Sequence, residues 1–188
     1  MAGENQFHAI FGHDHICAIV HPSDTAPMLV ALDGKVLVTG PQGERTIAVA
    51  DLHVPPTVNV RAETVLAQGE IVTHIEIPPA DKGLYTAYRK IRARRSWDFS
   101  LAGVALALVM EGDKVARARI VFSGAAPVPW RSREAEQALV GHPLTDGNIS
   151  AAARAAVASA QPLRANGYKV LMFQGIMKEE LHKVKKGA

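Results

Sequence analysis

The stretch LAGVALALVMEGDKVARARIVF, residues 101–122, carries the clearest structural pattern in the chain. Leu101–Met110 is an apolar run, and Glu111-Gly112-Asp113 then supplies turn-forming residues. Lys114–Phe122 alternates apolar and basic residues, which is typical of a strand with one buried face. The stretch therefore predicts two strands joined by a tight turn.

Further segments on either side carry strand and helix patterns. Upstream, β-branched runs between Gly and Pro signals predict five more strands and one helix. The strands are Ile16–Val20, Lys35–Thr39, Arg45–Val49, Glu70–Ile77 and Leu84–Ile91, and the helix is Thr25–Leu32. Downstream, helical patterns predict Trp130–Val140, Asn148–Ala160 and Asn166–Val184. Strands followed by helices predict an α+β protein rather than alternating βαβ units.

Composition excludes several classes of protein. The 188 residues are 48% hydrophobic and 21% charged, the balance of a globular protein with its own core. The longest largely apolar run, Phe99–Met110, is too short to span a bilayer, and the first residues lack a secretory pattern. We therefore expect a cytoplasmic protein without a membrane span. The single cysteine, Cys17, cannot form an internal disulfide or a cysteine-only metal site.

A histidine-rich stretch near the N-terminus allows two interpretations. His13, His15 and Cys17 alternate, so on a strand they would share one face, with His21 four residues further on. Zinc or copper uses such ligands, but a polar loop with a buried cysteine has the same sequence. Because no second ligand cluster accompanies these residues, we predict no metal site.

His21-Pro22-Ser23-Asp24 lies where a predicted strand passes into a predicted helix. Asp24 could accept hydrogen bonds from the ribityl or ribose hydroxyls of a ligand, close to the unpaired N–H groups of the helix start. The simpler alternative is that Ser23 only caps the helix. Local sequence alone favours the capping role of Ser23.

Tyr88–Phe99, YRKIRARRSWDF, is the most informative stretch for function. Strand alternation would place Lys90, Arg92 and Arg94 on one face, followed by Trp97. Trp97 offers a flat surface for an aromatic cofactor, and the cations could meet phosphates or ring carbonyls. A solvated charged strand or a nucleic-acid patch would have similar residues, but an aromatic content of 5% is low for nucleic-acid binding.

Segments in series along nearly the whole chain resemble the FAD-binding medium subunit of molybdenum hydroxylases, the xanthine dehydrogenases, aldehyde oxidoreductases and carbon monoxide dehydrogenases. The resemblance is closest to the bacterial branch with an additional iron–sulfur cluster. The segments are HAIFG, CAIVHPSDTAPMLVALDGKV, GERTIAVADL, GEIVTHIEIP, YRKIRARRSWDFSLAGVALAL, ARIVFSGAAPVPWRSREAEQAL and NGYKVLMFQGIM. A chance match of so many segments in order is implausible.

The resemblance implies two domains and a set of FAD contacts. Residues 1–80 would be the second FAD-binding subdomain, a sheet with flanking helices. Residues 83–187 would be a C-terminal domain like that of the CO dehydrogenase flavoprotein, a three-stranded antiparallel sheet on a helical bundle. The flavin contacts carried over by position are Ser23, Asp24, Ile71, Val72, Lys90, Trp97 and Asp98. We expect no catalytic residues and no metal ligands in the chain.

The resemblance also implies partners and a role in electron transfer. A large subunit would hold molybdopterin and a small subunit the [2Fe–2S] clusters, and their electrons would pass through FAD to NAD⁺, oxygen, ferredoxin or a quinone. The Gly-rich AGGT-like and TxGGN-like segments that cradle the FAD pyrophosphate have no counterpart here. We therefore expect the C-terminal part of such a subunit, with weak or no FAD binding on its own. The alternative function is a non-catalytic binding or assembly module that retains the fold.

Overall fold

The computed structural model describes residues 3–14 and 17–187. Two antiparallel sheets and five helices follow one another along this part of the chain. In order they are α1 (Thr25–Ala31), β1 (Lys35–Gly40), β2 (Gly43–Ala48), α2 (Val49–Leu52), β3 (Ile71–Glu76), β4 (Leu84–Ile91), β5 (Ala102–Glu111), β6 (Lys114–Ser123), β7 (Trp130–Arg131), α3 (Arg133–Leu139), α4 (Asp146–Ala155) and α5 (Tyr168–Gly187). The α+β class is confirmed.

The second sheet has the strand order β4-β5-β6-β7 and contains the predicted β5–β6 hairpin. Strand β5 is apolar from Ala102 to Met110, and both of its faces are covered over Ala102–Leu108. Val104, Leu106 and Leu108 pack into the core with the C-terminal helices, whereas Ala105 and Ala107 face the cluster formed by α1 and the first sheet. The small alanine side chains allow α1 to lie close to the sheet.

The prediction of three strands in this sheet and of a helix from Trp130 was wrong in detail. Trp130 and Arg131 form the short fourth strand β7, paired with Phe122 and Val121, and α3 begins only at Arg133. Trp130 pairs with Phe122 and its ring stacks on Phe11, so these tertiary contacts hold the backbone extended where a helix was predicted. The three predicted helices are otherwise confirmed as α3, α4 and α5, with shifted ends.

The first sheet has the order β2-β1-β3, so β1 is central and β3 lies at an edge. Val36 and Val38 of β1 are buried against α1. The sequence predicts a strand over Glu70–Ile77, and every residue of the observed β3 is exposed. The predicted strand is confirmed. Within the part of the chain that the structure describes, its side chains remain exposed to solvent.

The predicted strand Ile16–Val20 was wrong over the residues that the structure describes. Ile16 lies outside those residues, and Cys17–Val20 forms no regular secondary structure. The segment is instead held by scattered backbone bonds. The N–H of Ala9 donates to the carbonyl of Ala18, and the N–H of His21 donates to the carbonyl of Ala126. The segment thus bonds to loop residues through its backbone and does not join a sheet.

The residues before α1 also contribute to the core of the C-terminal part. Ile10 and Phe11 are fully buried there, and Phe11 stacks on Trp130 with ring centroids 5.1 Å apart. Their neighbours are fixed by Asn166 and Lys169, which donate to backbone carbonyls of the 7–9 segment. The division of the chain near residue 80 remains a prediction. Within the described ranges, no helix is long and apolar enough to cross a membrane.

Candidate functional site

An ion pair between β4 and the start of α1 forms the centre of the site. The Lys90 Nζ atom lies 2.6 Å from Oδ2 of Asp24. The hydroxyl of Tyr88 donates to the other carboxylate oxygen, Oδ1, at 2.7 Å. Asp24 thus accepts one charged and one neutral hydrogen bond, which fixes the position of the Lys90 ammonium group.

Strand geometry explains why these groups meet. Tyr88 and Lys90 are two residues apart on β4, so their side chains project from the same face. Asp24 immediately precedes α1, where the Ser23 hydroxyl accepts a hydrogen bond from the N–H of Ala26 at 3.0 Å. Ser23 therefore stabilises the helix start, as its simpler interpretation predicted. The turn that it stabilises presents Asp24 to β4.

A chain of hydroxyl groups supports the ion pair from within the second sheet. The Tyr88 hydroxyl lies 3.0 Å from the hydroxyl of Ser123, which donates to Ser100 at 3.2 Å. Burial is the main cause that raises the pKa of Tyr88 well above its usual range, so Tyr88 stays a protonated donor. Gly103 faces these groups, and a Cβ atom at this position would overlap the Ser123 hydroxyl. Gly103 thus makes room for the hydroxyl chain.

The ion pair opens into a cleft of about 310 Å³ that also contains Trp97, Asp98 and Arg94. Trp97 has a φ of +50°, which is unfavourable for a residue with a Cβ, and its side chain is 93% exposed. The Arg94 guanidinium donates to the Trp97 carbonyl at 2.6 Å and so helps to hold this backbone. The loop therefore presents a flat indole surface to the solvent beside Lys90.

Asp98 organises the same loop as an anion. It accepts hydrogen bonds from the N–H groups of Arg94 and Phe99, each at 3.0 Å. The bond from the Arg94 N–H, followed by the Arg94 charge, lowers the pKa of Asp98. Asp98 is therefore ionised at neutral pH, and its carboxylate is already engaged by the loop backbone.

The structure brings some predicted site residues together and leaves others apart. The cleft is lined by Asp24, Lys90, Trp97 and Asp98. Ser23 precedes Asp24 and accepts the hydrogen bond from the Ala26 N–H. Ile71 and Val72 lie on β3 in the first sheet and do not line it. No measurement tests the predicted roles of these seven residues, so the roles remain predictions.

The predicted common face for Lys90, Arg92 and Arg94 was wrong. Strand β4 ends at Ile91, so Arg92 and Arg94 belong to the following loop and do not continue the strand alternation. Arg94 reaches the cleft through the loop instead, where it contacts the Trp97 carbonyl.

Sequence reasoning missed Tyr88, Ser100 and Ser123 as members of the site. For Tyr88 a signal was present, because it is two residues from Lys90 on a predicted strand. For Ser123 and Ser100 no such signal was present. Their approach to Tyr88 depends on the strand register, which places Gly103 opposite Lys90 of β4 and opposite Ser123 of β6.

Two half-buried histidines, His21 and His53, are separate from the ion pair. The rings of His21 and His53 are 4.3 Å apart in an edge-to-face arrangement. Burial, and second the proximity of His53, lowers the pKa of His21 to about 4, and burial also lowers the pKa of His53. Both rings are therefore neutral at pH 7.

This histidine pair predicts a loss of stability in acid. Between pH 6.5 and pH 4 the unfolded chain binds a proton at His21 that the folded chain does not, so stability is full above pH 6.5 and falls below it. We expect the free energy of unfolding to fall by about 2 kcal/mol more in the wild type than in His21→Gln over this range. Urea unfolding of both proteins at pH 7 and pH 4.5 measures the difference. An equal loss in the two proteins would contradict the assignment.

The metal prediction is only partly covered by the structure. Among residues 3–14 and 17–187, no group of three His, Cys, Asp or Glu side chains could hold a metal ion. His15, one of the three alternating candidates, lies outside the described residues.

Two family models match the chain in succession. Residues 14–80 match the FAD binding domain in molybdopterin dehydrogenase. Residues 86–183 match the CO dehydrogenase flavoprotein C-terminal domain. The two matches together cover most of the sequence and agree in order with the resemblance seen in its motifs.

Curated relatives and a solved structure agree with these matches. The chain is 33% identical over 177 residues to the aldehyde oxidoreductase FAD-binding subunit PaoB of Escherichia coli, covering 92% of the chain and 51% of that protein. It is 29% identical over 167 residues to the carbon monoxide dehydrogenase medium chain of Hydrogenophaga pseudoflava, covering 86% and 56%. The solved carbon monoxide dehydrogenase of that organism, in a form lacking the Mo-pyranopterin moiety, superposes with a TM-score of 0.73 at 27% identity, covering 92% and 56%. The chain thus spans about half the length of the relatives that it matches.

Proposed function

The chain belongs to the family of FAD-binding medium subunits of molybdenum hydroxylases, and from this premise we propose that its Lys90 cleft forms the flavin-ring side of an FAD site. The observation that carries the proposal is the arrangement of Asp24, Lys90 and Trp97 in one cleft. These residues offer an anion, a cation and a flat aromatic surface, which suit the hydroxyl groups, the polar edge and the ring of a flavin.

Each residue has a separate role in this proposal. Lys90, held by Asp24, places a positive charge where it favours negative charge on a reduced flavin ring. The Asp24 side chain is 43% exposed and has room to accept a hydrogen bond from a ribityl hydroxyl. Trp97 packs against the ring, and Asp98 keeps the Trp97 loop in place through its bonds to Arg94 and Phe99.

The proposed FAD site also includes two residues of the first sheet, Ile71 and Val72. Ile71 and Val72 would bound the flavin with backbone and methyl groups at the start of β3. Their exposed side chains leave this surface open to a ligand or to a further segment of protein.

In the complete enzyme, FAD would accept electrons from iron–sulfur clusters and pass them to an external acceptor. We infer that a molybdopterin-containing large subunit and a [2Fe–2S] small subunit are the partners, because the matched relatives include subunits and medium chains of molybdenum hydroxylases. The residues of this chain would position the flavin and would not carry out hydroxylation. A cytoplasmic location remains a prediction.

Removing the Lys90 charge tests the cleft directly. We expect Lys90→Gln to weaken FAD binding about tenfold, which corresponds to the loss of one charged hydrogen bond of about 1.4 kcal/mol. Lys82→Gln is the matched control, because Lys82 is an exposed lysine outside the cleft. The quenching of protein fluorescence by added FAD gives the dissociation constants. Equal weakening by both substitutions would indicate a general charge effect and would reject the assigned role of Lys90.

Purification of the tagged chain from its native host tests the wider function. We expect FAD, iron and an oxidised pterin to copurify with two further subunits. A chain that emerges alone, without flavin or pterin fluorescence, would contradict the proposal. The alternative of an assembly module without a cofactor gains no support from the matched relatives.

A further inference from the structure

The chain of hydroxyl groups behind the ion pair continues from the Lys90 cleft to a second cleft. The Tyr88 hydroxyl donates to Asp24 at 2.7 Å and lies 3.0 Å from the Ser123 hydroxyl. The hydroxyls of Ser123 and Ser100 are 3.2 Å apart. Ser100 in turn lines a neighbouring cleft of about 420 Å³, here called the Ser100 cleft. A continuous line of hydroxyl groups thus connects the two clefts.

The packing around Gly103 brings these hydroxyls together inside the protein. Ser100 and Ser123 are both buried, and Tyr88 is half-buried. A Cβ atom at Gly103 would overlap the Ser123 hydroxyl and lie 2.9 Å and 3.0 Å from those of Ser100 and Tyr88. Because glycine lacks this atom, the three oxygens reach hydrogen-bond distance of one another in a region shielded from bulk water.

The three hydroxyls are able to donate in one direction. Each has one proton and a rotating O–H bond, and each also accepts hydrogen bonds. Because Tyr88 gives its proton to Asp24, its oxygen is available to accept from Ser123. When the Ser123 hydroxyl rotates from Ser100 toward Tyr88, Ser100 can donate to Ser123 in turn. The line then points from the Ser100 cleft to Asp24, whose other oxygen is 2.6 Å from the Lys90 ammonium.

We propose that Ser100, Ser123 and Tyr88 form a proton relay to the Asp24–Lys90 pair, an inference that rests on the proposed flavin site. Two-electron reduction of a flavin ring also takes up a proton, which one-electron iron–sulfur donors do not supply. A ring bound in the Lys90 cleft would cover the ion pair, so a proton needs a route from behind it. The relay provides that route from water in the Ser100 cleft.

The proton balance of the relay closes without a lasting change in the chain. The Lys90 Nζ atom gives one proton to the bound ring and regains one from Asp24. The Asp24 carboxylate is supplied by Tyr88, Tyr88 by Ser123, Ser123 by Ser100, and Ser100 by water. Each group ends in its starting protonation state, and the net transfer is one proton from water to the ring.

Hydrogen exchange at Tyr88 tests the relay in the full chain without flavin. Exchange of the Tyr88 hydroxyl proton with solvent is measured by NMR, from the deuterium isotope shift on an isotope-labelled ring carbon. We expect Ser123→Ala to slow this exchange about tenfold or more, because it breaks the path from Ser100. A purely structural serine predicts the opposite sign, since losing a hydrogen-bond partner leaves the Tyr88 hydroxyl freer to exchange.

Ser132→Ala is the matched control for removal of a buried hydroxyl. Ser132 is fully buried, and its hydroxyl has no hydrogen-bond partner among residues 3–14 and 17–187. Its exchange at Tyr88 should stay within about twofold of the wild type. Ser123→Thr keeps a hydroxyl and should restore exchange to within about threefold, whereas Ser100→Ala breaks the path at its outer end and should slow it. Circular dichroism establishes that each variant is folded.

The complex purified from the native host connects the relay to the flavin. We expect Ser123→Ala to retain its flavin but to slow proton uptake on photochemical reduction about tenfold. Unchanged or faster Tyr88 exchange in Ser123→Ala would overturn the proposal, and so would normal proton uptake by the variant complex. A complex without flavin would reject the flavin site together with the relay, whereas bound flavin with normal proton uptake would reject the relay alone.

Discussion

Gly124→Ala should lower the free energy of unfolding by about 3–4 kcal/mol. Gly124 has a φ of +66°, and a Cβ atom there would overlap the backbone carbonyl oxygen of Ser100. A backbone oxygen cannot rotate away as a side chain can, so the 100–101 segment must shift. Since Asp98 and Trp97 precede this segment, we also expect weaker flavin binding.

Gly112→Ala separates the backbone strain from the overlap. Gly112 has a similar φ of +60° but nothing within 4 Å of the added Cβ, so we expect a loss of only about 1 kcal/mol. Chemical denaturation of the wild type and both variants gives the comparison. Equal losses at the two positions would show that close packing at Ser100 is not the cause.

Lys169→Met should lower the free energy of unfolding by about 3 kcal/mol. The side chain is fully buried, and its ammonium donates to the carbonyls of Phe7, His8 and Gly124 at 3.2, 3.0 and 2.6 Å. Methionine has a similar size but no donor, so it leaves carbonyl groups with fewer partners while preserving the packing. The N-terminal segment should then be held less tightly to α5, where the Tyr168 hydroxyl would still donate to the Gln6 carbonyl.

The control is Lys82→Met, at an exposed position, where we expect a change within about 0.5 kcal/mol. Burial lowers the pKa of Lys169 to about 8. Above that pH the folded chain releases a proton that the unfolded chain keeps up to about pH 10.5. Stability should therefore rise from pH 8 to pH 10 in the wild type relative to Lys169→Met. A variant as stable as the wild type at pH 7 would refute the anchoring role.

Local sequence predicted the central elements because their patterns depend on neighbouring residues. The β5–β6 hairpin is specified by an apolar run, a turn and an alternating strand, and the structure confirms it. The short strand β7 was missed because its two residues pair with Phe122 and Val121 only through tertiary contacts. The segment Cys17–Val20 has strand-like residues, but its backbone bonds go to loops instead of a ladder.

The site was predictable where it depends on one element and hidden where it depends on several. Lys90 and Trp97 stand out within one stretch of sequence, and Asp24 stands out at a helix start. That Asp24 forms an ion pair with Lys90 depends on the packing of α1 against the second sheet, which no local pattern reports. The same holds for Ser123 and Ser100, whose approach depends on the absence of a side chain at Gly103.

Competition between flavin fragments and ADP is the most direct test of the proposal that this chain forms the flavin-ring side of an FAD site. Purified chain is titrated with FAD, with riboflavin and with ADP, and fluorescence is followed in the Trp130→Phe variant, in which Trp97 is the sole tryptophan. The proposal predicts that riboflavin and FAD quench Trp97 with dissociation constants within about threefold of each other, and that ADP displaces neither. Displacement of FAD by ADP without any binding of riboflavin would contradict it.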